Sequence, residues 1–105
     1  MKTLRDPRRK PTHPGAILRE DVLPALRMSQ GELASRLGVS RVTVNTLLQE
    51  KRDLSIELAA RIARLLGHSP ESWIRMQEAL DLWKLAQEPS RLQGIEPLPP
   101  SRIAA

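Results

Sequence analysis

Apolar positions along this chain recur at helical spacing in five separate runs, and each run is bracketed by residues that start or stop helices. Pro14 suits a first helical position, where its missing N–H costs nothing, with His13 or Thr12 before it as cap. Ile17, Leu18, Val22 and Leu23 give that first helix an apolar face, and Pro24 is expected to end it. Ser29 caps the second helix, with Glu32 three residues on to complete a capping box. Leu33, Ala34 and Leu37 form its face, and Gly38 stops it. Ser40 caps a third helix, with Val44, Leu47 and Leu48 as its buried stripe, running to about Gln49. Ser55 opens a strongly apolar fourth helix that Gly67 closes. Ser69 and Pro70 open a fifth, which runs to about Ala86 before Pro89. With Leu and Ala dominating the apolar set, the fold expected is all-α.

The segment SQGELASRLGVSRVTVNTLLQEKR, residues 29–52, stands out. Only Gly38, Val39 and Ser40 separate its two helices, a turn tight enough to throw the second steeply across the first. Ala34 is small where the two would cross, and Val39 can plug the turn. Leu33, Leu37, Val44 and Leu47 close the core beneath, which frees the outer face of the third helix near its start. This is helix-turn-helix geometry, in which a helix N-terminus presents side chains to base edges in the major groove. Ser40, Arg41, Val42, Thr43, Asn45 and Thr46 are the candidate base-reading residues. Arg41 has the planar fork that matches guanine O6 and N7, Val42 and Thr43 offer methyl groups to thymine, and Asn45 can pair with adenine or hold a phosphate. Gln30, at the start of the second helix, and Lys51 and Arg52, beyond the third, are candidate phosphate contacts.

Composition changes this picture little. The 105 residues suffice for one small domain, and the net charge of +5 favours a polyanionic partner. Most of that excess lies in residues 1–13, where Lys2, Arg5, Arg8, Arg9 and Lys10 face only Asp6, so the rest is nearly balanced. There is no cysteine, hence no disulfide or thiolate metal site. No stretch approaches a membrane span, and the basic N-terminus lacks the apolar core of a signal peptide, so a cytoplasmic protein without membrane contact is expected. The organisation expected is a flexible basic arm over 1–12, a DNA-binding and dimerisation domain over 13–86, and a Pro-rich tail over 87–105.

The same segment resembles the helix-turn-helix of the lambda-repressor-like (XRE) family. HPGAILRED at 13–21 and VTVNTLLQEKRDLSIELAARIARLLGHSPESWIRMQEALDLWKL at 42–85 are similar to its HigA/VapI antitoxin branch, so the likeness spans about residues 12–86. Ala16 stands where an acidic residue is usual, the EKRDLS turn lacks the usual Gly, and Leu80-Asp81-Leu82 departs from a tyrosine-bearing version. The resemblance implies an antitoxin that dimerises, represses its own operon at a palindromic operator and neutralises a RelE-like, HigB-like ribonuclease. The toxin biology follows from the resemblance alone.

The fifth helix carries Trp73, Met76, Leu80 and Trp83 as one stripe, widened by Ile74, Leu82 and Leu85. A band this wide is assigned partly to a homodimer interface, which would set two recognition helices roughly 34 Å apart on double-stranded DNA. The basic arm has three readings: a minor-groove or phosphate contact, a toxin contact, or a solvated tail. His13 and His68 have no metal-ligand companions and read as satisfied helix-end histidines. No nucleophile–base pair or phosphate-binding glycine loop is apparent, so neither catalysis nor a cofactor is expected. Two alternatives stay open: a plain XRE-family repressor without a toxin, and a helical protein-interaction module.

Overall fold

The computed structural model describes residues 8–103, and they are helical with no strand among them. The first helix, α1, is continuous but not uniform: Pro14–Ile17 is α-helical, Leu18–Val22 is a π-helical turn, and Leu23–Leu26 is α-helical again. Pro24 therefore does not end the helix. The Leu23 N–H reaches back five residues to the Leu18 carbonyl, and this wider turn carries the Pro24 ring past the preceding carbonyls. The helix stops three residues later, at Arg27, whose φ of 53° is left-handed.

The next four helices are α2 (Gln30–Leu37), α3 (Arg41–Leu48), α4 (Ile56–Leu66) and α5 (Pro70–Ala86). Each starts on a serine that accepts a hydrogen bond from a backbone N–H two or three residues on, at Ser29, Ser40, Ser55 and Ser69. The capping box at Ser29 is half made. Its hydroxyl accepts from the Glu32 N–H at 3.0 Å, while the Glu32 carboxylate accepts from Arg36 Nε at 2.8 Å instead. Gly38 and Gly67 close α2 and α4 with φ of 71° and 72°. Beyond α5 come a short 3-10 turn, Pro89–Leu92, and α6 (Pro100–Ile103), both exposed.

One contiguous core holds α1 to α5 together, built on Leu18, Leu33, Ala34, Leu37, Val44, Leu47, Leu48, Ile62 and Trp73. Ala34 is buried in that core and Val39 sits half-buried against it. Two arginines cap carbonyls at helix ends on neighbouring elements. Arg61 of α4 donates to the Leu37 carbonyl at 2.8 Å, and Arg19 of α1 donates to the Leu48 carbonyl at 2.5 Å. Arg19 also pairs with Glu50 at 3.1 Å. Glu50 has φ of 62°, so the turn after α3 keeps the left-handed backbone of a glycine position without the glycine.

Candidate nucleic-acid interface

The start of α3 stands clear of the core. Val44, Leu47 and Leu48 point inward and are buried, which turns Arg41, Val42 and Asn45 towards the opposite side. Arg41 is exposed, and Val42, a large apolar side chain, keeps 66% of its surface uncovered by the described residues. Gln30, Gly31, Arg41, Val42 and Asn45 line one shallow hollow where the first turn of α2 meets the first turns of α3. Across it Asn45 Nδ2 donates to Gln30 Oε1 at 3.2 Å, so the candidate phosphate contact on α2 and a candidate base reader on α3 hold one another in place.

The other candidates are more occupied. Ser40 Oγ accepts from the Thr43 N–H at 3.0 Å and lies 2.9 Å from Thr43 Oγ1. Thr46 Oγ1 donates to the Val42 carbonyl at 2.7 Å and accepts from Arg52 Nε at 3.0 Å. What Thr46 has left to present outward is its methyl group. Lys51 is exposed just beyond α3, while Arg52 folds its side chain back along that helix.

Two further residues outside the segment hold the loop after α3: His13, whose capping role the sequence shows but whose loop contact it does not, and Gln77, which spacing does not reveal. His13 is buried: its Nδ1 accepts from the Gly15 N–H at 2.9 Å and caps α1, and its Nε2 lies 3.0 Å from the Arg52 carbonyl. An Nδ1 that accepts fixes the neutral tautomer with the proton on Nε2, which then donates to Arg52. Both histidines are helix-end residues, as expected; the His68 ring stacks on Trp73 with centroids 6.2 Å apart. The second residue is Gln77 of α5, 5% exposed. Its Oε1 accepts from the buried Leu54 N–H at 2.8 Å, and its Nε2 donates to Asp81 at 2.9 Å and Asp53 at 3.3 Å. Together they hold the loop that carries Lys51 and Arg52, at the Arg52 carbonyl and the Leu54 N–H.

Burial holds the His13 imidazole below its ordinary value of 6.5, against an opposing pull from the Glu50 carboxylate and the Arg52 carbonyl. The unfolded chain therefore binds the proton more readily than the folded one. Stability from the neutral ring is complete above about 6.5 and is lost as the pH falls from there through the lower folded value. Urea unfolding of the wild type between pH 7.5 and 5 should show this loss, and His13→Asn should flatten that part of the profile. Parallel profiles for the two proteins would exclude His13 as the group responsible.

On α5, Trp73 and Leu80 are buried by their own chain. Of the stripe assigned to a dimer, Met76 and Trp83 keep surface, both half-buried, and Leu82 beside them is 67% exposed. No described helix is long and apolar enough to cross a membrane.

Two helices joined by a three-residue turn over one shared core, with the second helix open at its start, define a helix-turn-helix protein of the DNA-binding class. The family model described as Helix-turn-helix matches residues 18–74. The chain belongs to this family, in its lambda-repressor-like (XRE) division, and is similar to the HigA and VapI antitoxin branch. It is 37% identical to virulence-associated protein I of Dichelobacter nodosus over 82% of this chain and 80% of that protein. Antitoxin HigA-1 of Vibrio cholerae is 34% identical over 76% of this chain and 75% of its own length. The solved structure of Pseudomonas aeruginosa antitoxin HigA with the higBA promoter superposes with a TM-score of 0.77 at 35% identity, covering 86% of this chain and all of that one.

Proposed function

We propose that this chain is the antitoxin of a HigBA-type type II toxin–antitoxin pair: it represses its own operon as a homodimer on a palindromic operator and neutralises a RelE-like, HigB-like mRNA-cleaving toxin. The observation that carries the reading is the open first turn of α3, set against α2 by the Asn45–Gln30 bond, in a fold shared with an antitoxin solved on promoter DNA. Arg41 reads guanine, Val42 and Thr43 with the Thr46 methyl group meet thymine, and Asn45 takes adenine or a phosphate. Ser40 fixes the helix start that aims them. Gln30, Lys51 and Arg52 hold phosphates and set the register. The dimer seam runs along α5, where Met76 and Trp83 supply surface over the buried Trp73 and Leu80.

A footprint of the purified protein on the DNA just upstream of its own gene, at near-physiological salt, tests the repressor. Expected is a protected palindrome with half-sites about one helical turn apart. Diffuse protection that disappears with modest added salt would instead mean sequence-blind phosphate binding and would sink the operator reading. Co-expression with the neighbouring gene tests the antitoxin: a stable complex with a small ribonuclease is expected, and its absence would leave a plain repressor. Arg41→Ala should lose about 1–3 kcal/mol of discrimination at one base pair. A binding-site selection returning the wild-type sequence would remove Arg41 from base reading.

A further inference from the structure

Gly31 is the second residue of α2, and its missing side chain is filled by another residue. A Cβ placed there would lie 2.9 Å from an Arg41 terminal nitrogen, 3.1 Å from Cζ and 3.3 Å from Nε. The Arg41 guanidinium thus lies flat over the bare backbone of Gly31, on the wall of the hollow that Gln30, Val42 and Asn45 complete. Among the described residues no acceptor holds the guanidinium there by a hydrogen bond. Shape positions it, at the edge of a hollow that a lone-pair-bearing partner can reach.

We infer that Gly31 is a positioning residue for base recognition: its bare backbone seats the Arg41 guanidinium beside the hollow, in the pose from which it meets a guanine edge. The inference rests on the reading of Arg41 as a base contact and adds a determinant of specificity on α2, outside the recognition helix. The contact is with the far end of a flexible side chain, so a methyl group at position 31 displaces Arg41 without disturbing the fold. It also removes backbone freedom that glycine loses on folding. Gly31→Ala therefore combines two effects that a merely structural glycine would not: stability equal to or above the wild type, and altered sequence reading.

The test is a cycle of wild type, G31A, R41A and the double variant, with thermal unfolding and binding-site selection on each full-length protein. Expected are an undiminished melting temperature for G31A and a loss of discrimination of about tenfold at the base pair that R41A also loses. In the R41A background, G31A should add nothing. Undiminished discrimination in G31A, or equal effects of G31A with and without Arg41, would overturn the inference while leaving Arg41 as a base reader. Gly31→Ser serves the same cycle should the alanine variant be poorly expressed. If the wild type selects no sequence, the reading of α3 itself fails. The Arg41 Nε–Hε resonance then still decides, since a shift in G31A supports the seat and an unmoved signal rejects it.

Discussion

Gly15→Ala should melt some 10–20 °C below the wild type, the largest loss expected from a single added methyl group in this protein. The N-terminal end of α1 packs directly on the end of α3, and a Cβ on Gly15 would lie 1.9 Å from the Leu47 carbonyl oxygen and 2.8 Å from its carbon. Neither atom belongs to a side chain that can swing away. Either α1 lifts off α3, or the last turn of α3 distorts and the Arg19 and His13 contacts around it are lost. Overpacking of a tight site typically costs about 1–3 kcal/mol, and a clash with backbone lies at the upper end. In a domain of this size each kcal/mol moves the midpoint by roughly 4–8 °C. Gly15 is in helical conformation, so alanine would otherwise be neutral or favourable there. Circular dichroism melting decides the matter: a midpoint within a degree or two of the wild type would mean that the helices do not approach so closely.

Gln77→Met should cost about 2 kcal/mol and lower the midpoint by roughly 10 °C. Methionine fills nearly the same volume, so packing is not the issue. The amide is the partner of the buried Leu54 N–H and also ties down Asp53 and Asp81. Without it a buried donor keeps its desolvation cost and gains no acceptor. The effect should be visible locally as well. The loop holding Lys51 and Arg52 is tied by the His13 bond at Arg52 and, two residues on, by the Gln77 bond at Leu54, so amide hydrogen exchange at Leu54 should accelerate well beyond the global change. Unaltered exchange there would show that the loop does not depend on Gln77.

Family membership carries a different consequence for each part of the chain. The matched residues 18–74 include α2, α3 and the loop after it, which is the whole candidate interface except the His13 cap. Beyond them lies most of the α5 surface on which the dimer proposal rests. The DNA-binding class and the seam between subunits therefore draw on different evidence. A footprint bears on the first and a sedimentation measurement on the second.

Helix positions were readable along the chain because serine caps, glycine stops and apolar spacing act over three or four residues. Ser29, Ser40, Ser55 and Ser69 all cap where their spacing says, and the buried faces of α2, α3 and α4 fall on the apolar positions. Pro24 shows where that local logic stops, since a π turn just before it lets the helix pass through it. Glu50 is another such place: a left-handed backbone is held in a residue that does not favour it, with Arg19 of a distant helix at its side chain. The helix-turn-helix and the polar face of α3 were written in the sequence because the turn is short and its determinants are neighbours. Tertiary structure alone decided that Gln77 would be a buried connector rather than a surface residue. It also decided that Gly15 must lack a side chain, and that Trp73 and Leu80 would be covered by their own chain. These outcomes depend on which backbones meet across 23 residues or more, and spacing along a single helix carries no information about the surface that will face it.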